Sequence, residues 1–190
     1  ESDFDILLPF LSKKDKILEI GCSNGHNLNF IKEQVPEYDL NLYGIDPSSA
    51  SLKSSEYTSS DISLNIGTSD NLEFDDNFFN IIICGFFLYL IDRELVFKTV
   101  SEIDRVLKEG GFLFIMDFDV PSPSSNNYRH LKNIKTYKNN YSKFFTGGNH
   151  YTLVSKKHFS LKNNHFDEDV DERISSSILY KEFFKKIYTT

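Results

Sequence analysis

Residues 79–84, Phe-Asn-Ile-Ile-Ile-Cys, form an almost unbroken apolar and β-branched run that ends at Gly85. A strand with one face in water alternates apolar and polar side chains, so a run of this kind belongs to a strand covered on both faces. Shorter runs of similar character stand at Lys16–Ile20, Asn41–Ile45, Ile62–Ile66 and Phe112–Met116. Helical spacing separates several of them. Leu28, Phe30, Ile31 and Val35 share a face in residues 24–35, and Pro36 stops that helix. Ser48 or Ser49 can cap a second helix reaching about Tyr57, and Asp92 a third, with Leu95, Val96, Val100, Ile103, Val106 and Leu107 on one face and Gly110-Gly111 at its end. Covered strands alternating with helices predict an α/β chain, doubly wound, with a mostly parallel sheet and helices on both faces.

The 190 residues, 39% of them hydrophobic, suffice for one core and do not require two, so one domain over 1–190 is expected. No apolar run reaches the length of a membrane span, and the start lacks the basic-then-apolar order of a signal peptide, which points to the cytoplasm and no membrane partner. A start at Glu1 and not at methionine suggests that the first residues were trimmed or disordered. Two cysteines, Cys22 and Cys84, without a Cys/His cluster at metal spacing, predict reduced thiols and no metal.

Charge is unevenly spread. Residues 1–120 hold 9 Lys/Arg against 22 Asp/Glu, whereas residues 121–190 hold 12 against 6, and from Arg129 to Lys162 there are eight basic residues and no acidic one. Either this is a solvated surface or it is a mouth that concentrates an anionic small-molecule substrate. Past Pro121 the order changes: PSPSSNN reads as a loop, 128–145 is basic and aromatic without a period, LVSKKHF could form one or two helical turns, and RISSSILYK reads as a last strand.

The turn EIGCSNG, residues 19–25, follows the first buried run. Glycines at Gly21 and Gly25 let backbone approach a ligand at the carboxyl end of a parallel strand, where such sheets bind nucleotides. Glu19 restricts which one. A carboxylate beside the turn repels a pyrophosphate and suits a ligand carrying an ammonium and a sulfonium. Asp46, at the end of the second run, can accept two ribose hydroxyls.

The segments ILEIGCSNG, YGIDPS, NIGTSDNLEFDDNFFNIIICGFFLYL and RVLKEGGFLFIMDF, in this order and spacing, resemble the class I S-adenosylmethionine-dependent methyltransferases. The resemblance covers about residues 10–120 and implies a Rossmann-like, seven-stranded sheet with one reversed strand. It implies a cofactor core over 1–120, a variable acceptor-covering region over 121–165, and a C-terminal strand and tail over 166–190. Carried over by position, Glu19, Gly21, Cys22, Ser23, Asn24 and Gly25 would surround the methionine part of S-adenosylmethionine (S-adenosylhomocysteine after transfer), with Asp46 and Pro47 at the ribose. Thr68, Ser69 and Asp70 would lie by the adenine, and Cys84, Gly85 and Phe86 would close the site. Two positions depart from the pattern: Ser23 replaces the middle glycine, and Thr68 stands where an aspartate often meets the adenine amino group.

Methyl transfer needs an acceptor held in line with the methyl, plus a base when the acceptor is a hydroxyl. The stretch GFFLYL after the fourth strand is not an Asn-Pro-Pro-Tyr motif, which favours O-methylation. Candidate bases are His150, Asp117, Asp119, His130 and His158, with His150 in GGNHY preferred; Tyr128, Tyr141 and Tyr151 could orient the acceptor. The acidic pI near 5.2 disfavours nucleic acid, so a phosphorylated or nucleotide-linked metabolite or sugar, such as a surface-polysaccharide precursor, is expected. The tail, from DFDVPSP to DERISSSILYK, resembles small methyltransferases that modify bacterial surface polysaccharides. The alternatives are an RNA methyltransferase, a non-catalytic cofactor-binding subunit and an NAD-dependent oxidoreductase, the last opposed by Glu19 and the missing G-x-G-x-x-G.

Overall fold

The computed structural model describes residues 4–57, 61–128, 134–160, 162–163 and 165–184. Its centre is the apolar run of residues 79–84: β4 (Phe79–Gly85) pairs in parallel with β1 (Lys16–Ile20) on one side and with β5 (Leu107–Phe118) on the other. Beyond β1 lie β2 (Asn41–Asp46) and β3 (Ile62–Ile66), both parallel to it. Beyond β5 lie β9 (Arg173–Lys181), antiparallel to its neighbours, and β8 (Tyr151–Ser160), giving a seven-stranded sheet of order β3-β2-β1-β4-β5-β9-β8. The chain winds outward from β1 to β3 and then returns to β4. The reversal of strand order therefore falls between β1 and β4, where the carboxyl ends of open parallel sheets bind ligands.

Both faces are covered, as the apolar runs require. On one, α1 (His26–Gln34) and the 4–11 segment bring Leu28, Ile31, Phe4, Leu7 and Leu11 onto Ile17, Ile81, Ile83 and Phe114. On the other, α3 (Val96–Val106) and α4 (Lys143–Thr146) bring Val96, Ile103, Val106 and Phe145 onto Leu18, Ile82, Leu113 and Ile115. The helix α2 (Ser49–Lys53) joins β2 to β3; β6 (Ser124–Asn127) and β7 (Lys135–Lys138) pair as a separate two-stranded ladder.

Five sequence expectations are corrected. Ser48 does cap α2, accepting from Ser51 N, but the helix ends at Lys53 and not near Tyr57. Asp92 does not cap α3, whose first residue is Val96; Leu95 is exposed, and Asp92 instead accepts the Tyr137 hydroxyl. Gly110-Gly111 lies inside β5, because Leu107 is already extended and pairs with Phe79. PSPSSNN contributes its last four residues to β6. LVSKKHF is strand: β8 pairs with β9, and a register shift between Leu153 and Ser155 breaks the alternation that would have announced it.

Candidate active site

Glu19 is wholly buried near the end of β1. Its Oε1 accepts from Asn27 Nδ2 at 2.6 Å, an amide delivered by the first turn of α1, while its Oε2 is buried without a partner among the described residues. Burial pushes this carboxyl up to about 8; the Asn27 bond opposes the shift and the charge of Asp46 adds to it. A carboxyl so placed is short of one positive neighbour.

The turn after it is built by backbone. Gly21 has φ +75°, and the amides of Gly21 and Cys22 both reach Ile45 O on β2, at 2.8 and 3.0 Å. A β-carbon on Gly21 would stand 2.8 Å from that of Phe87, so only glycine lets the segment after β4 close over the turn. Ser23, the departure from the motif, keeps a left-handed φ of +50°, and its amide donates to Asp46 Oδ2 at 2.9 Å. Asp46 Oδ1 accepts from Ser48 N at 2.8 Å, so the carboxylate joins β2 to the turn while each oxygen retains a lone pair. Asn24 lies at the surface of the turn, with its Oδ1 3.3 Å from His26 N, and Gly25 caps α1 with φ +83°.

A cleft of about 540 Å³ opens beside Asp46, between Pro47, the end of β3 and the 67–74 loop. Thr68 lines it and pairs with Asn71; Asp70 lies part-exposed in the same loop. Ser69 is turned elsewhere, its hydroxyl 2.9 Å from that of Thr99 on α3. The loop is clamped from α3: Glu102 Oε2 accepts Leu72 N, and the Arg105 guanidinium donates to Leu72 O, Phe74 O and Asp76 as well as to Glu102. Neither Glu102 nor Arg105 was singled out from sequence; their three-residue spacing on a helix was the available signal.

On the other side of β1, Cys84 pairs with Ile20 and Gly85 with Met116, and Phe86, at φ +49°, donates to Met116 O. Cys22 and Cys84 are buried free thiols. Cys22 is directed at β2, where a β-carbon on Gly44 would stand 2.6 Å from its sulfur. Asp117 is buried on β5; its oxygens accept from Phe118 N at 2.7 Å and Tyr89 N at 3.3 Å, and burial pushes its carboxyl up to about 7 against those bonds. Tyr128 meets Tyr89 edge-on at 6.3 Å.

His150 does not join this group. It is exposed on the turn before β8, where its carbonyl accepts Glu182 N and Tyr151 pairs with Lys181. That is the end of the sheet where β5 passes Phe112, roughly 17 Å along the strand from Asp117. His158 does lie at the carboxyl ends, its Nε2 2.7 Å from the buried Asp119. His130 lies outside the described residues.

Residues 18–115, more than half of the chain, match the family model described as a methyltransferase domain. The chain belongs to the class I S-adenosylmethionine-dependent methyltransferases. It is similar to a probable methyltransferase, ltbC, of Aspergillus luteorubrus, 30% identical over 62% of this chain and 45% of the relative. It is also similar to the ubiquinone/menaquinone biosynthesis C-methyltransferase UbiE of Campylobacter jejuni, 27% identical over 57% of this chain and 47% of that protein. The chain thus spans about half the length of these curated relatives. In fold it matches the crystal structure of a methyltransferase from Methanosarcina mazei with a TM-score of 0.75, at 17% identity over 94% of this chain and 98% of that one.

S-adenosylmethionine is the cofactor of this methyltransferase family, and the residues fit it. The unpartnered Glu19 oxygen is the decisive feature, since the methionine end of the cofactor carries the cation that this carboxyl lacks. The glycine cradle and the two free lone-pair positions of Asp46 agree with it.

Proposed function

We propose that this chain transfers the methyl group of S-adenosylmethionine to a small-molecule acceptor. The buried Glu19 carboxyl with one unpaired oxygen beside a glycine cradle carries the reading. Glu19 holds the ammonium of the cofactor, Asp46 its ribose hydroxyls, and the Pro47–Thr68 cleft its adenine. The sulfonium supplies the electrophilic methyl. What the protein adds is alignment of the acceptor, exclusion of water and a place for a proton.

Asp117 serves as a positioning residue. Its carboxylate gathers the amides of Tyr89 and Phe118 and so fixes the 86–90 segment that closes over Gly21. The acceptor side is supported by a second cleft of about 440 Å³ between that segment, the start of α3 and β7. Tyr137, Tyr141 and Phe144 give it aromatic walls, and Arg93 brings a cation to it, the ammonium of Lys138 being held by Asp171. These favour an acceptor with a flat apolar body and one negative group, and the quinone-pathway name of the Campylobacter relative agrees with the flat body. A phosphorylated or nucleotide-linked sugar finds less support. Lys138, Lys156 and Lys162 are paired with Asp171, Asp119 and Glu172, so the basic stretch attracts anions less than its count implies.

Asp46→Ala should weaken S-adenosylhomocysteine binding at least about tenfold, or about 1.4 kcal/mol. Unchanged affinity in a titration of the folded variant would remove the ribose assignment.

A further inference from the structure

Asp15 stands just before β1, at the amino ends of the parallel strands, and is 7% exposed. Its Oδ2 accepts Ser12 N at 2.7 Å, while Oδ1 takes no hydrogen bond from the described residues. Burial raises this carboxyl above its ordinary value, against the Ser12 bond and the charge of Lys108. Like Glu19 it is short of a donor, but it lies at the opposite end of the sheet. The four-residue step along β4 from Asn80, beside Asp15, to Cys84 spans about 13 Å.

A cleft of about 160 Å³ opens at Asp15. An interruption of the β4–β5 ladder shapes it: Phe79 pairs with Leu107 and Ile81 with Phe112, so residues 108–111 of β5 stand opposite Asn80 alone. Gly110 turns this excursion with φ +78°, and a β-carbon on Gly111 would stand 2.8 Å from Asn80 O. The Asn80 side chain is fixed in turn. Its Oδ1 accepts Lys16 N and Lys108 Nζ, each at 3.1 Å, which leaves Nδ2 directed away from both donors. Lys108 lines the same cleft and forms no ion pair among the described residues.

The cleft therefore holds a carboxyl oxygen without a donor, and an ammonium and an amide without an acceptor of their own. Phe10, Ile81 and Phe112 add apolar surface, and Glu109, exposed, brings a second negative charge while its Oε1 accepts Phe184 N. A simple cation or a simple anion would satisfy one half of these groups. A zwitterion satisfies both. Cavities of this size take about six non-hydrogen atoms, as a benzene-filled cavity does, which is too little for a nucleotide or a quinone.

We propose that this cleft binds a small α-amino acid, with its ammonium on Asp15, its carboxylate on Lys108 and Asn80, and a short apolar side chain against Phe10 and Phe112. The site shares no residue with the cofactor cradle and does not depend on the methyl-transfer reading.

The test titrates the isotope-labelled full chain with L-alanine and, in parallel, with ethylamine and propionate, which carry one charge each. Alanine should shift the amide resonances of Asp15, Asn80, Gly110 and Gly111 saturably, with a Kd of about 1 mM or below. Ethylamine and propionate should each bind at least about tenfold more weakly. Asp15→Asn, whose amide oxygen can still accept Ser12 N, and Lys108→Met, which keeps the apolar stem, should each weaken alanine at least about tenfold. Both variants should keep the parent's amide spectrum outside the cleft. No shift of these four amides up to about 20 mM alanine would overturn the proposal. So would ethylamine or propionate binding as tightly as alanine, or unchanged alanine affinity in either folded variant.

Discussion

Glu19 is a carboxyl group held where its charge is least stable, and that makes it the residue whose titration reports on the site. Its folded pKa is about 8 against an ordinary 4.5, so the unliganded protein favours the protonated form near pH 7. Because the folded value is raised, the stability this group contributes is present below 4.5 and is lost as pH rises through 8. A bound ammonium reverses the preference. S-adenosylhomocysteine affinity should therefore rise from pH 6 to 8, by up to about tenfold per unit, with proton release visible as buffer-dependent heat; a flat profile would contradict the assignment. Glu19→Gln should raise the melting temperature of the unliganded protein at pH 8 by a few degrees while weakening the ligand at least about tenfold. Ser23 is a second case. Its left-handed φ costs an L-residue roughly 1 kcal/mol, so Ser23→Gly should raise urea stability by about that amount without loss of ligand affinity. Glu19, the two glycines and Asp46 were legible in sequence because local chain order sets them at strand ends. Asn27 was not, since it acts through the pitch of α1. His158 and Asp119 were both candidates, but their contact was not legible, because it spans a strand that is distant in sequence.

At the scale of elements, the 67–78 segment passes from β3 to β4 without a helix of its own and depends on α3 for its shape. Glu102, 6% exposed, is held down to about 2, first by its bond to Arg105 and then, against the desolvation that raises it, by Leu72 N. A lowered carboxyl contributes stability above 4.5 that disappears as pH falls toward 2. Glu102→Gln should cost about 2 kcal/mol in urea unfolding at pH 7 and progressively less below pH 4.5; a cost independent of pH would show that charge is not what holds the loop. The runs at 16–20, 62–66 and 173–181 were legible residue for residue, each being apolar or bounded by turns. The edge strand β8 was not, because its bulge and its exposed outer residues imitate a helical period.

For the whole molecule, the sheet order puts the reversal between β1 and β4, and the three carboxylates of the proposed site, Glu19, Asp46 and Asp117, come from strands on both sides of it. Close packing at that junction is exacting. Gly44→Ala would set a methyl 2.6 Å from the Cys22 sulfur and 2.7 Å from Leu64, so it should cost about 2 kcal/mol in unfolding free energy and weaken the cofactor with it; an unaffected variant would mean that the β1–β2 contact is looser than described. The most direct measurement of the central claim is calorimetric titration of the intact chain at pH 7.5 with S-adenosylhomocysteine and, in parallel, NAD. Saturable one-site heat from the first and none from the second is the predicted result. No heat from S-adenosylhomocysteine, or saturable heat from NAD alone, would contradict it.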